Sequence, residues 1–302
     1  MKTGFFSAAE MPMSVYLADP CPQPSLSSGV VNDLLTKSPE HVYARHPRLG
    51  GAASETSDTM DIGTIAHQLL LGGDTRICEI NRANYRSKPT KDNPEGSIPV
   101  GWTNTAIREA RDDARANGLI PVLTDDMAAC RKMEQAARTF VARSEIAGVF
   151  DAGDGEVTQI WQEAREVWCR ARHDWVNHDA RIRLSYKTTE QSANPESFIR
   201  SMVPMGYHTA LAFYRRGFET ILGVQEGWRD VILVQEQKAP YACSLVSLDP
   251  AMWAIAEGRV TRAILTWERC VTRNEWHGYS GSIHYATPSP WQLAEAEANG
   301  ND

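Results

Sequence analysis

The residues best suited to chemistry lie between positions 156 and 187. Glu156 falls on one segment of strand-like alternation, Asp174 at the end of the next, and Ser185-Tyr186-Lys187 on a third. Residues two apart on a strand share a face. Ser185 and Lys187 therefore point the same way, toward Asp174 if the strands pair. Carboxylate oxygens hold hard divalent cations, and a lysine steadies an anion or a nucleophile. Ser185 with Lys187 also raises a Ser–Lys hydrolase pair, but no G-x-S-x-G elbow accompanies it. His67 stands on an otherwise apolar helix, where a lone histidine is most often a satisfied structural residue. His173 and His178 neighbour Asp174 and Asp179 at a spacing that matches no standard metal site and reads as a surface loop.

These residues must be positioned by two kinds of element. The first half reads as helices. Ser27 or Ser28 caps a short helix through Leu35, Ser38-Pro39-Glu40 starts a second that Pro47 stops, and Met60 to Leu71 forms another that ends at Gly72-Gly73. A Gly/Ala/Ser/Thr-rich stretch from Gly50 to Thr59 precedes it. Pro89, Pro94 and Pro99 mark residues 85–102 as a loop. Thr105 to Asn117 and Thr124 to about Arg143 are helices, the second with Met127, Cys130, Met133, Ala137 and Phe140 at helical spacing. The pattern then changes. Val157 to Trp161, Val167 to Asp174 and Arg181 to Thr188 alternate as strands. Pro195 to about Gly217 returns to a helical period. Val231 to Glu236 and Tyr241 to Val246 form a hairpin around Lys238-Ala239-Pro240, and Asp249-Pro250 opens a long helix to about Val271. The expected architecture is an α/β core with a central sheet flanked by helices. It divides into an N-terminal helical part (1–150) and a core (151–302) within one structural unit.

The order of these motifs resembles the PD-(D/E)XK nuclease superfamily, most closely the phage and prophage exonuclease VIII (RecE-type) group. Ser25-Leu26-Ser27-Ser28, Asp61-Ile62-Gly63-Thr64-Ile65-Ala66-His67, Arg170-Ala171-Arg172-His173-Asp174 and Lys187-Thr188-Thr189 are similar to that group's successive segments. So are Tyr207-His208 with Phe213-Tyr214, Gln235-Glu236, Pro240-Tyr241 and Glu275-Trp276. The resemblance implies a restriction-endonuclease-like fold and metal-dependent digestion of linear double-stranded DNA in phage-type recombination. It implies His67, Asp174 and the backbone carbonyl of Tyr186 as ligands of Mg²⁺ or Mn²⁺. Glu156 becomes a further acidic group near a second metal or its water, Lys187 the catalytic lysine, and Tyr214 a residue of the following helix near the site. A homo-oligomer and a single-strand annealing partner are also implied.

Two positions depart from that pattern. Ser185 stands where the group has a metal-binding carboxylate, and Ala210 where it has a helix glutamine. A neutral hydroxyl is a poor Mg²⁺ ligand. Metal assistance contributes several kcal/mol to the transition state, and a loss of about 4 kcal/mol is roughly a thousandfold in rate. Catalysis is therefore expected to be reduced or lost. A non-catalytic relative that binds DNA or a recombination partner, a site rearranged around Asp179, Glu190 or a different metal, and introduced substitutions all fit these two positions.

The chain of 302 residues carries 31 Lys and Arg against 38 Asp and Glu, a formal charge of −7 that excludes a uniformly basic nucleic-acid coat. Locally the balance reverses. Between 165 and 187, Arg165, Arg170, Arg172, Arg181, Arg183 and Lys187 face only Glu166, Asp174 and Asp179. This predicts a basic groove for phosphate contacts, with Arg170, Arg172 and Arg183 as its candidates. No apolar run approaches a membrane span and no signal-peptide pattern opens the chain, so the expected compartment is the cytoplasm. The 6 cysteines lack zinc or iron–sulfur spacing and read as buried thiols. The tryptophans of the second half, Trp161 to Trp291, read as core.

Overall fold

Local signals set the N-terminal elements, seen in a computed structural model that describes residues 2–51, 58–73, 76–224 and 226–299. They run β1 (Gly4–Phe6), α1 (Met13–Leu17), α2 (Ser28–Thr36), α3 (Pro39–Arg45), α4 (Asp58–Leu71), β2 (Ile77–Ile80), α5 (Thr105–Ala116), β3 (Ile120–Leu123) and α6 (Thr124–Val141). Ser27 caps α2 by accepting the Val30 amide, and Pro39 occupies the first turn of α3. The core follows as β4 (Asp154–Gln162), β5 (Trp168–Asn177), β6 (Ile182–Thr189), α7 (Pro195–Met202), α8 (Tyr207–Leu222), β7 (Arg229–Glu236), β8 (Cys243–Val246), α9 (Pro250–Arg273) and α10 (Pro290–Asn299). Asp249 caps α9 at 2.7 Å from the Met252 amide.

A six-stranded mixed sheet in the order β1-β4-β5-β6-β7-β8 forms the centre. β6 and β7 pair in parallel, and the other neighbours pair antiparallel. Alternation along β6 gives it two faces. Ile182, Leu184 and Tyr186 pack with Ala66 and Leu70 of α4 and Met133, Ala137 and Val141 of α6. The layer of α2, α8 and α9 covers the opposite face, where Trp161, Phe213, Ile232, Val234 and Trp267 make the larger core. Helices thus cover both faces of the sheet.

Gly217 lets α8 settle directly on β4. A Cβ there would stand 2.6 Å from the amide nitrogen of Gln159 and from the Trp161 ring.

Several expectations are refined. The N-terminal part is not purely helical: β1 joins the main sheet beside β4, and β2 pairs with β3 in a separate parallel ribbon. Strands of three and four residues are too short for alternation to announce them. The helical run from Pro195 is two helices, broken at Gly206, whose φ of 76° is the left-handed conformation glycine adopts without strain. The stretch from Gly50 to Thr59 lies mostly outside the described residues.

Candidate active site

The site forms where β5 and β6 stop pairing. Their register runs through Asn177↔Ile182, Val176↔Arg183 and Trp175↔Leu184 and ends there. Beyond it Asp174 enters the widening gap. Its Oδ2 accepts the backbone N–H of Tyr186 at 2.8 Å and the ammonium of Lys187 at 3.1 Å. The unpaired strand amide therefore serves as the anchor that aims the carboxylate. On the other side of β5, Gly155↔Trp175 and Val157↔His173 flank an interruption that sets Glu156 opposite Asp174. Glu156 has a φ of 57°, a costly conformation for a non-glycine residue and one that concentrates at functional sites.

His67 of α4 joins the two carboxylates. Its Nδ1 lies 3.2 Å from Glu156 Oε1 and its Nε2 lies 3.5 Å from Asp174 Oδ1. The remaining Glu156 oxygen accepts from Arg172 Nε, and Arg172 is itself fixed by the Met11 carbonyl at 2.6 Å and Thr158 Oγ1 at 3.1 Å. Each carboxylate thus has one oxygen held by the protein and one turned toward the imidazole. His67, Glu156, Tyr186 and Lys187 line a cavity of about 470 Å³ with Gly63, Thr64, Gln68 and Thr188.

Electrostatics follow from this packing. Burial disfavours a charged Asp174, but Lys187 and His67 outweigh it and hold the carboxyl well below its usual range. Burial likewise opposes a charged Lys187, and Asp174 more than compensates, raising the ammonium. Burial works against protonated His67, yet Asp174 and Glu156 together raise it. The Tyr214 hydroxyl, 3.2 Å from Ser28 Oγ, is raised by burial.

Ser185 is buried on β6, two residues before Lys187. Ala210 lies on α8 between Tyr207 and Tyr214 at helical spacing, the face whose tyrosines act on Lys187. Asp179 occupies the exposed turn between β5 and β6, at the opposite end of that hairpin from the gap. Glu190 is exposed just past the end of β6.

The three candidate DNA-binding arginines require correction. Arg170, Arg172 and Arg183 are 4%, 6% and 4% exposed, so they do not form an open phosphate-binding groove. Arg170 pairs with Asp19 at 3.1 Å and reaches Ser25. Arg172 holds Glu156. Arg183 makes a two-pronged pair with Asp230 at 2.6 and 2.7 Å beneath the rings of Phe218 and Trp228. Their strand periodicity placed them on sheet faces; the N-terminal segment around Met11, Tyr16 and Ser25 covers Arg170 and Arg172, and Phe218 with Trp228 covers Arg183. His173 is also internal rather than in a surface loop. It bonds Gln159 at 3.0 Å, and burial pushes its pKa down to about 3. Trp291 is 65% exposed rather than core.

Sequence reasoning missed the supports. Gln235 accepts from the Tyr186 hydroxyl and donates to the Met133 carbonyl at 2.8 Å, which fixes the middle of β6. The Met11 carbonyl brings the N-terminal segment into the site. A buried glutamine in the β7 pattern was a usable signal; the backbone carbonyl left none.

The oxygen donors, two carboxylates and the Tyr186 carbonyl, match a hard divalent cation in type, and the imidazole adds a borderline nitrogen. They do not form a finished cage. Among the described residues no group of three or more His, Cys, Asp or Glu is arranged to hold a metal ion. The two carboxylates meet different nitrogens of His67, so the imidazole bridges them as a hydrogen-bonding group.

Comparison with known proteins gives a family model, the PDDEXK-like domain of unknown function (DUF3799), which matches residues 33–288. No curated protein matches. A solved structure described as a "Putative exonuclease" from Eubacterium rectale is similar in fold, with a TM-score of 0.53 and 9% identity over 97% of this chain and 98% of that one. The structure of SSO0001, at 9% identity over 70% of this chain and 88% of that one, has a TM-score of 0.27 and carries no argument. Among the described residues no helix is long and apolar enough to cross a membrane.

Proposed function

The chain belongs to the PDDEXK-like DUF3799 family, and from that premise we propose that it is a metal-dependent exodeoxyribonuclease-type protein whose catalysis is weakened at Ser185. The observation that carries this reading is the convergence of Glu156, Asp174, His67 and Lys187 at the point where β5 and β6 part. The similar structure from Eubacterium rectale carries the description "Putative exonuclease", which agrees with this reaction class.

Asp174 Oδ1, Glu156 Oε1, the Tyr186 carbonyl and His67 would hold Mg²⁺ or Mn²⁺. Held there, such an ion would supply charge stabilisation at a phosphodiester and activation of water. Lys187, kept protonated by Asp174, presents a cation for the phosphate. The Tyr186 amide holds Asp174 in place, and Arg172 does the same for Glu156. Ser185 adds no negative charge beside them, so the site has fewer anionic ligands than the pattern it resembles and a weaker grip on the ion. The substrate in this reading is linear double-stranded DNA, and the setting is phage-type recombination with a strand-annealing partner. Both rest on the RecE-type resemblance.

The test is a digestion time course on linear double-stranded DNA with Mg²⁺ or Mn²⁺. It compares the chain as given, Ser185→Asp, and Ser185→Asp with Ala210→Gln. Slow or absent nucleotide release from the given chain is expected, with faster release from Ser185→Asp that disappears on adding Lys187→Ala. Intact DNA with every folded variant overturns the reading.

A second reading, a non-catalytic DNA- or partner-binding protein, draws on the same Ser185. The neutral side chain lies two residues before Lys187 on β6, and the site's carboxylates are already engaged by Lys187, Arg172 and His67. DNA retained by the given chain without any digestion favours it.

A further inference from the structure

A second cavity lies away from the candidate active site. It is a groove of about 1190 Å³ between α6 and the free edge of the sheet at β8. Phe140, Leu245, Trp228 and Trp253 line it with apolar surface. Exposed Lys132, Arg143 and Arg229 line it with positive charge, and none of the three takes part in an ion pair among the described residues. Against them stand Glu145 and Asp230, and Asp230 is already taken by Arg183. The groove is apolar, basic and bordered by a strand with no outer neighbour.

The segment after α9 has the complementary character. From Asn274 onward the sequence holds Glu275, Glu295, Glu297 and Asp302 and no Lys or Arg. Trp276 still packs on the core, and Tyr279 still meets His41 at 5.3 Å. Beyond that, Ile283, Tyr285, Trp291 and Leu293 are 79%, 85%, 65% and 50% exposed, and α10 buries no residue. Consecutive exposed aromatic and aliphatic side chains of this size mark an interaction segment.

We propose that residues 281–299 of one copy dock in the α6–β8 groove of a second copy, with Trp291 and Leu293 in the apolar trough and Glu295 and Glu297 toward Lys132, Arg143 and Arg229. Reach favours a second copy over the same one. The 21 residues from Trp253, near the start of α9, to Asn274 at its end separate the two by about 32 Å. The roughly ten residues from Ser280 to Ser289 span at most about 36 Å when fully stretched. A chain's own groove is therefore met only by a nearly taut connection, which leaves little slack to seat α10.

The experiment uses the full chain. Light scattering across a concentration series is expected to show mass rising above that of one chain. Trp291→Asp, on a fully exposed helix, is expected to weaken association on the order of tenfold or more, as the loss of a central aromatic anchor does. Lys132→Glu with Arg143→Glu is expected to weaken it likewise, and Glu295→Lys with Glu297→Lys added to that chain to restore it. A photo-crosslinking residue at 291, in a mixture of isotopically heavy and light copies, is expected to join the two copies at 132–146 or 240–247. A monomer at every concentration overturns the proposal. So do cross-links within one chain or to another face, and association indifferent to these changes.

Discussion

Strand β6 carries two charged pairs four residues apart, built in opposite ways. At Arg183 the guanidinium and Asp230 are each 4% exposed in their side chains, joined by two parallel hydrogen bonds in the continuous β6–β7 ladder. At Lys187 the ammonium is 31% and Asp174 15% exposed, and the neighbouring strand has peeled away. The first pair is sealed from solvent beneath the Phe218 and Trp228 rings. The second shares its carboxylate among an amide, an ammonium and an imidazole and opens on a cavity. The arginine fork seals the first pair, and the divergence of β5 from β6 opens the second, which separates a structural ion pair from a set of groups able to meet a substrate.

Removing one member of each pair is the sharpest way to break this contrast. Asp230→Ala leaves a buried guanidinium without its partner and is expected to destabilise the fold by about 3–5 kcal/mol, read by denaturant unfolding. Lys187→Ala is expected to change stability by about 1 kcal/mol or less, since its pair is partly solvated, while removing nucleotide release from Ser185→Asp. Equal stability losses from the two variants would dissolve the distinction.

The sequence carried much of this arrangement, and the gaps have physical causes. The three central strands and the helices α2, α3 and α9 were legible because alternation, Pro39, Ser27 and Asp249 are local signals. Strand order turned Lys187 toward Asp174, and the family resemblance added Glu156. What strand order left open was the neighbour of each arginine. Alternation puts Arg170, Arg172 and Arg183 on sheet faces but does not say that those faces are covered, or that Asp19, Glu156 and Asp230 wait there. The role of Arg172 as the anchor of Glu156 and the entry of the Met11 carbonyl are tertiary facts without local pattern.

A smaller effect separates the site from the N-terminal packing. His46 is buried beside Asp19 and the Ser25 carbonyl, and burial lowers its pKa. Its unfolded pKa is about 6.5, so the unfolded chain takes up the proton first as pH falls. Stability is expected to be full above about pH 6.5 and to decline below it. His46→Gln is expected to flatten part of that slope in thermal melts from about pH 7.5 to 5.5, while leaving metal binding at the site unchanged.

The claim that the parted strands form a metal site weakened at one position is tested most directly by Mn²⁺ titration calorimetry, without DNA. It requires the given chain, Asp174→Asn and Ser185→Asp. Weak binding by the given chain, none by Asp174→Asn, and binding roughly tenfold tighter or more by Ser185→Asp, a gain of about 1.4 kcal/mol, is the predicted result. The same Mn²⁺ affinity in all three folded proteins would contradict it.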